Sequence, residues 1–355
     1  MSVAVPLSTT SGPAVRLDPP GVTFLARHGQ AGVPLMALPG DASARRYYRL
    51  PQAGLLLMED RTDPEGFASY IRVARHLNGL GLSAPRVEAA DPVHCLALIE
   101  DWGDATYARR LRAGRSEAEL YALAIDALAH LHQSPEGAAV SQPFYDRDVW
   151  LTELTVFCDW FAPALAPELD RAAFTRRFLE LWDTALAPLY GRQEALVLRD
   201  FHVDNLMELD GREGVARCGL LDFQDAVRGP REYDLVSLLQ DARRDLAPGL
   251  EAAMLDRYIG ALAGDEAEAR AIRARYHLMG AQRHARIVGV FVRLCQRDGK
   301  AHYLTWLPRV LGQLDAALAA ANLTSIADFL AEALPDWRAR GEALASRLAA
   351  TRAPA

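Results

Sequence analysis

Short apolar runs separated by polar turns occupy the amino-terminal part of the chain. Five of these runs predict strands, at 35–38, 46–50, 55–58, 87–90 and 95–99. Between the third and the fourth, Asp63, Pro64 and Glu65 provide a capping acceptor, a proline for the first turn and a carboxylate near the positive end of the helix dipole. The pattern therefore predicts a small sheet combined with a helix that begins at residue 64.

Beyond residue 102 the apolar positions recur at spacings of three and four, which is typical of amphipathic helices. Helices are predicted at 117–131, 148–161, 169–190, 235–239 and over most of 248–334. The sequence thus predicts an α+β fold, with a small amino-terminal lobe at 20–101 that contains an antiparallel sheet, and a large, mainly helical lobe at 102–355. Residues 1–19 are rich in Ser, Thr and Pro, and we expect them to form a flexible tail.

Two short apolar runs, 195–198 and 219–221, interrupt the helical pattern, and both end at polar residues. Asp200 and Asn205 follow the first run, and Asp222 follows the second. Any one of them alone is explained as a turn residue. As an ordered set they suit phosphoryl transfer, because one carboxylate can accept a hydroxyl proton while Asn and the second carboxylate hold Mg²⁺ on nucleotide phosphates. The set predicts a phosphotransferase that uses ATP and Mg²⁺.

The composition narrows the class of protein. The 355 residues carry a net charge of -7, and half of them are apolar, so nucleic acid is not an expected partner. The four cysteines, Cys95, Cys158, Cys218 and Cys295, are widely spaced, which excludes the usual zinc patterns and favours buried thiols. No signal peptide and no apolar run long enough to span a bilayer is present. We expect a cytoplasmic monomer with no membrane partner.

Three segments resemble a known family. Residues 198–205 are similar to the catalytic loop of the aminoglycoside phosphotransferase and choline kinase group, which is related to protein kinases. Leu221-Asp222-Phe223 resembles the metal-binding motif of that group, and residues 229–235 resemble the segment whose aspartate, here Asp234, braces the catalytic loop. The resemblance implies a protein kinase-like bilobal fold, Asp200 as the catalytic base, and Asn205 and Asp222 as Mg²⁺ ligands.

The same resemblance implies a nucleotide site between the lobes. A loop of small residues would lie over the phosphates, and the backbone of the segment that joins the lobes would pair with the adenine edge. The residues concerned are Gly40, Asp41, Ala42 and Ser43 in the loop, and Glu100 and Trp102 in the joining segment.

Longer stretches, including 40–47, 220–226 and 233–244, resemble the bacterial sugar kinases within this group. These kinases transfer the ATP γ-phosphoryl group to the anomeric hydroxyl of N-acetylmuramate or N-acetylglucosamine in peptidoglycan recycling, and the resemblance implies that reaction here. The candidate substrate-binding residues are Glu153, Asp159, Arg199, His202, Asp225 and Arg283, the last to pair with the lactyl carboxylate of N-acetylmuramate. Two alternatives stay open, an aminoglycoside or other small-molecule phosphotransferase of the same fold, and a nucleotide-binding pseudokinase.

The sequence departs from the family at two positions. Leu198 replaces a structural histidine. Met58 occupies the strand position of the lysine that usually contacts the α- and β-phosphates, and the single lysine, Lys300, lies far downstream. A guanidinium also binds phosphate oxygens, and arginines 45, 46 and 49 all lie on the preceding strand or at its start. We predict that Arg46 supplies the missing charge.

Overall fold

A computed structural model describes residues 17–39 and 44–351 of the chain. Residues 1–16 of the predicted tail, and Gly40, Asp41, Ala42 and Ser43 of the predicted phosphate loop, lie outside the described residues. Within the described part, the small lobe contains an antiparallel sheet in the order β1-β2-β3-β5-β4. Its strands are β1 (Met36–Ala37), β2 (Arg46–Leu50), β3 (Leu55–Glu59), β4 (Val87–Asp91) and β5 (Leu96–Glu100). Each of the five predicted strands is present.

Helices cover both faces of this sheet. Helix α1 (Pro19–Arg27) contributes Phe24 and Leu25 to an apolar cluster with one face. Helix α2 (Pro64–Gly79) packs on the other face, where Met58 is fully buried. The predicted cap is present, because the Asp63 carboxylate accepts a hydrogen bond from the backbone N–H of Gly66 at 2.9 Å.

The large lobe is mainly helical, which confirms the predicted fold class. Its helices are α3 (Tyr107–Arg112), α4 (Glu117–Gln133), α5 (Arg147–Val156), α6 (Ala162–Leu165), α7 (Arg171–Leu186), α8 (Glu232–Leu239), α9 (Leu250–Leu262), α10 (Glu266–Gln296), α11 (Leu307–Ala320), α12 (Thr324–Ala333) and α13 (Trp337–Thr351). The long helix α10 packs against α5, α8 and α11, so it forms the centre of the lobe. No helix in the described ranges is both long and apolar enough to cross a membrane.

Two antiparallel strand pairs lie in the large lobe below the sheet. Strand β6 (Ala195–Val197) pairs with β9 (Val227–Gly229), and β7 (Leu206–Glu208) pairs with β8 (Cys218–Leu220). Strands β6 and β8 correspond to the two apolar runs that the sequence singled out. Because β6 leads into residues 198–205 and β8 leads into Asp222, the two pairs bring the predicted catalytic residues to one place.

Candidate active site

The loop at 198–205 joins β6 to β7, and its start is held by a buried carboxylate. Asp234, in the first turn of α8, accepts hydrogen bonds from the backbone N–H groups of Leu198 at 2.6 Å and Arg199 at 2.8 Å. Burial raises the pKa of Asp234 to about 7, although these two N–H donors favour the charged form. Arg199 has a positive φ of 69°, a conformation that the two bonds hold in place. Leu198, which replaces the structural histidine of the family, is buried in the apolar core.

Asn205 connects the loop to Asp222. Its side-chain Nδ2 donates to the backbone carbonyl of Asp200 at 3.0 Å and lies 3.5 Å from Oδ2 of Asp222. Its own carbonyl accepts from the backbone N–H of Leu221 at 3.0 Å. The structure therefore brings the predicted base and the two predicted metal ligands together at one end of the cleft between the lobes.

This group of side chains suits a divalent cation. Burial raises the pKa of Asp222, and the nearby negative charge of Asp200 raises it further, so a cation between them would relieve the repulsion. Carboxylate and amide oxygens are the ligands that Mg²⁺ prefers, and Mg²⁺ usually takes only one or two protein ligands together with phosphate oxygens. Asp222 and Asn205 would hold the ion.

The cleft encloses a cavity of about 400 Å³. Leu56 and Ile99 line it from the sheet, Met207 and Leu221 line it from below, and Glu100, Asp101, Trp102 and Gly103 form one end. This apolar slot with backbone polar groups at one end suits a flat heterocycle.

The predicted adenine contacts, Glu100 and Trp102, both lie at that end of the cleft. The Glu100 carboxylate is bound by the Arg212 guanidinium at 2.9 and 3.0 Å. The same guanidinium lies over the Trp102 ring, 5.3 Å from its centroid. Trp102 also packs closely on β8, since a Cβ added to Gly219 would approach its ring to 2.7 Å. Both side chains are thus engaged with the large lobe, which fixes the backbone between them.

The directions of the side chains along β2 and at its start decide which arginine faces the cavity. Successive side chains of a strand point to opposite faces. Arg45, Tyr47 and Arg49 line the cavity, whereas Arg46 is exposed and does not line it. Arg49 is held at the lobe junction by Asp101, with Nε and Oδ2 2.6 Å apart. Arg45 is therefore the cavity-lining cation near Asp222. The sequence analysis had assigned the charge of the missing lysine to the neighbouring Arg46.

Arg45 is buried and rigidly held. Its Nε lies 2.8 Å from Oδ2 of Asp60, and its Nη1 donates to Oε1 of Gln224 at 2.7 Å. The same Nη1 lies 3.8 Å from Oδ1 of Asp222. The pKa of Arg45 is raised, because its charge interactions and hydrogen bonds with Tyr47 and Asp60 outweigh the cost of burial, so the guanidinium stays charged.

On the other side of Asp200, two predicted substrate residues pair with each other. Nη2 of Arg199 lies 2.5 Å from Oε1 of Glu153, and the Tyr145 hydroxyl donates to Oε2 of Glu153 at 2.5 Å. Nε of Arg286 lies 3.5 Å from the same carboxylate. The Glu153 carboxylate is thus neutralised by two arginines, and sequence reasoning had not singled out Arg286.

Arg283 of α10 and His202 within the loop are both buried. Arg283 donates to the hydroxyl groups of Tyr233 at 2.8 Å and Ser237 at 2.9 Å. Since Ser237 in turn donates to the carbonyl of Arg199 at 3.2 Å, Arg283 supports the loop from below. Burial lowers the pKa of His202, whose Nε2 lies 3.4 Å from Nδ2 of Asn205.

The two other predicted substrate residues lie in different places. Asp225 accepts from Nε2 of Gln224 at 3.0 Å and lines the nucleotide cavity. Asp159 pairs with Arg171 at 3.2 Å and lines a separate surface depression with Trp160. The structure therefore brings Asp225 to the site and leaves Asp159 apart from it.

Comparison with known proteins identifies the family. The family model described as "Phosphotransferase enzyme family" matches residues 35–272. The chain belongs to this family. N-acetylmuramate/N-acetylglucosamine kinase of Caulobacter vibrioides is 37% identical over 336 residues, covering 83% of this chain and 91% of that protein. The kinase of the same name from Neisseria meningitidis serogroup B is 34% identical over 290 residues, covering 77% of this chain and 82% of that protein.

Solved structures show the same fold. The ADP-bound aminoglycoside phosphotransferase APH(2'')-Ib superposes with a TM-score of 0.58 at 15% identity, covering 85% of this chain and 99% of that chain. A choline/ethanolamine kinase family protein from Mesorhizobium loti gives a TM-score of 0.53 at 17% identity, covering 92% and 99%. The protein kinase-like fold and the family predicted from the sequence are both confirmed.

Proposed function

We propose that the protein is an ATP-dependent kinase that phosphorylates the anomeric hydroxyl of N-acetylmuramate or N-acetylglucosamine, a step of peptidoglycan recycling. The observation that carries the proposal is the match to four curated kinases of these two sugars, at 31–37% identity over 77–84% of this chain. The convergence of Asp200, Asn205 and Asp222 supports it, because these residues supply what phosphoryl transfer requires.

In this mechanism Asp200 orients the anomeric hydroxyl and accepts its proton as the phosphoryl group is transferred. Asn205 and Asp222 would hold Mg²⁺, and the ion would supply positive charge next to the phosphates. The brace from Asp234 keeps the backbone around Asp200 in one conformation before substrate binds. Catalysis therefore depends mainly on positioning and preorganised charge.

Arg45 takes the part of the lysine that Met58 replaces. In protein kinases that lysine is held by a carboxylate and contacts the nucleotide phosphates. The ion pair between Arg45 and Asp60 supports an equivalent arrangement here, since it fixes a guanidinium 3.8 Å from Asp222, where the phosphates would lie. Arg46, the residue favoured by the sequence, is exposed.

The remaining nucleotide contacts follow the family pattern. The backbone of Glu100 and Trp102 pairs with the adenine edge. The position of Glu100 and Trp102 at the apolar end of the cavity supports this assignment. The monomeric state and the cytoplasmic location stay predictions of the sequence.

The relatives favour a sugar over an aminoglycoside. The kinases named for N-acetylmuramate and N-acetylglucosamine are 31–37% identical to this chain, whereas the aminoglycoside phosphotransferase of known structure is 15% identical. A pseudokinase is disfavoured because the base and both metal ligands are present.

A side-by-side assay tests the proposal. N-acetylmuramate, N-acetylglucosamine and kanamycin are each incubated with Mg-ATP, and the phosphorylated position is read by phosphorus NMR. We expect an anomeric phosphate on one or both sugars, none on kanamycin, and turnover of the sugars reduced about 10²–10⁴-fold in Asp200→Asn. Phosphorylation of kanamycin alone, or the absence of turnover with both sugars, would overturn the proposal.

A further inference from the structure

A second cavity, of about 360 Å³, lies beside the nucleotide cleft, and we call it the α2 cavity. Its lining residues include Ser69 and Arg72 of α2, Gln142 and Phe144 before α5, Val149 of α5, and Arg199, Gln224 and Asp225 of the catalytic region. Gln224 and Asp225 line both cavities. Because Nε2 of Gln224 donates to Oδ1 of Asp222 at 3.0 Å, a small molecule that contacts Gln224 in the α2 cavity would lie next to the proposed site of transfer.

One wall of the α2 cavity is apolar and open to solvent. Phe144 is 46% exposed and Val149 is 36% exposed, which is unusual for large hydrophobic side chains in the described part of the molecule. The Arg228 guanidinium lies 5.6 Å from the centroid of the Phe144 ring and supports it from the side. An exposed aromatic ring among polar groups suits the apolar face of a sugar ring.

A second group of lining residues forms a chain of hydrogen bonds. The Ser69 hydroxyl donates to the carbonyl of Gln224 at 2.6 Å, and Nε2 of Gln142 donates to the Ser69 hydroxyl at 2.8 Å. Oε1 of Gln142 then accepts from Nη2 of Arg72 at 2.9 Å. The chain links α2 to the segment after Asp222 and holds the Arg72 guanidinium at the rim of the cavity.

Arg72 is a cation with unused binding capacity. It is exposed and forms no ion pair with another residue in the described ranges, whereas Arg199 in the same cavity is paired with Glu153. A guanidinium has five N–H donors, and the bond to Gln142 uses one of them. The remaining donors can bind a carboxylate in a bidentate manner.

We propose that the α2 cavity is the acceptor-sugar subsite, and that Arg72 selects for the lactyl carboxylate that N-acetylmuramate carries and N-acetylglucosamine lacks. This inference rests on the proposed function. It assigns the carboxylate contact to Arg72 in place of Arg283, whose guanidinium is buried against Tyr233 and Ser237. Phe144 supports the sugar ring, and Asp225 faces its hydroxyl groups.

The test compares both sugars in three enzymes: wild type, Arg72→Ala and Arg75→Ala. Arg75 is an exposed arginine of α2 that does not line the cavity, so it is the matched control. The quantity measured is the ratio of kcat/KM for N-acetylmuramate to that for N-acetylglucosamine. One charge-assisted contact is lost in Arg72→Ala, so we expect the ratio to fall about 10–100-fold, through KM, and to stay unchanged in Arg75→Ala.

The outcomes separate this inference from the proposed function. If wild type acts on both sugars and Arg72→Ala leaves their ratio unchanged, Arg72 is not the selective residue while the function stands. The inference is also lost if wild type accepts N-acetylglucosamine alone. If wild type phosphorylates neither sugar, the proposed function is wrong, and this inference is lost with it. Phe144→Ala supplies a second measurement, because it should raise KM for both sugars while KM for ATP stays constant.

Discussion

The two sides of the nucleotide cleft are built in different ways. The cleft floor, residues 198–205 with 221 and 222, is fixed by the backbone, since Asp234 binds two of its N–H groups and Asn205 binds the backbone of Asp200. The cleft roof, strands β2 and β3 with the residue before β2, carries the proposed phosphate-binding charge on one side chain, Arg45, which is positioned by Asp60 and Gln224. The conformation of the floor thus follows from a local sequence motif. The charge on the roof depends on which side chain at β2 points into the cleft.

This difference explains how far each side tolerates change. Main-chain hydrogen bonds on the floor leave little freedom, because moving Asp200 would leave buried N–H groups without acceptors. On the roof, a cation is needed but its strand position is not fixed, so Arg45 can serve where Met58 has replaced a lysine. Substitutions on the floor should therefore affect turnover, and substitutions on the roof should affect nucleotide affinity.

The largest expected effect is on the floor. Asp200→Asn removes the proton acceptor while preserving shape, so kcat should fall about 10²–10⁴-fold with little change in KM for ATP. The measurement is steady-state kinetics with Mg-ATP and the better of the two sugars. Asp204→Asn is the matched control, since Asp204 is exposed in the same loop and should retain activity. A near-normal kcat in Asp200→Asn would contradict the assignment of the base.

The roof offers a sharper contrast between adjacent residues. Arg45→Ala should raise KM for ATP about 10–100-fold, the effect of losing a charged contact to phosphate, whereas Arg46→Ala should leave KM unchanged. Direct binding of ADP and AMP by calorimetry separates the phosphate contact from a general loss of structure, because the Arg45 variant should lose affinity for ADP more than for AMP. A raised KM for ATP in Arg46→Ala together with an unchanged KM in Arg45→Ala would instead support Arg46, the residue predicted from the sequence.

The smallest expected effect concerns the helix that supports the floor. His284 of α10 is fully buried, hydrogen-bonded to Gln240 at 2.8 Å, and burial lowers its pKa to about 3. The unfolded chain has a histidine pKa of about 6.5, so it binds the proton first as the pH falls. Stability is therefore retained above about pH 6.5 and lost progressively between there and about pH 3.

Between pH 7.5 and pH 5.5 this loss amounts to about 1.4 kcal/mol for one histidine. Urea unfolding of wild type and His284→Gln at the two pH values measures it, since the glutamine keeps a donor for Gln240 and does not titrate in this range. The decline in free energy of unfolding should be about 1.4 kcal/mol smaller in the variant. An identical decline in both proteins would show that His284 is not the cause of the pH-dependent loss of stability.

Much of the fold could be predicted from local sequence. The five strands of the small lobe follow from the short apolar runs, and the start of α2 follows from its capping residues. Both signals act over a few residues. The grouping of Asp200, Asn205 and Asp222 could also be predicted, because all three lie in the short polar segments that come after β6 and β8. Asp234 could be predicted from the family resemblance, since it occupies a fixed place in a local motif at the start of α8.

Other features were decided by tertiary structure alone. The sequence around β2 places arginines on both faces of the strand, and only the packing of α1 on one face and α2 on the other shows that Arg45 faces the cleft. Asp159 looked equivalent to Glu153, yet it lies in a surface depression. Side chains six residues apart on a helix point to different faces, so only the packing of the lobe shows which of the two reaches the site.

The sequence by itself determined the fold class and the family, and it singled out Asp200, Asn205 and Asp222 as candidate residues, since each depends on short-range periodicity or on a motif of a few adjacent residues. The tertiary structure decided that Arg45 lines the cleft, that Arg283 is buried beneath the loop at 198–205, and that α2, the segment before α5 and the residues after Asp222 enclose a second cavity. These features depend on contacts between segments far apart in the chain, and such contacts leave no periodic pattern in the sequence.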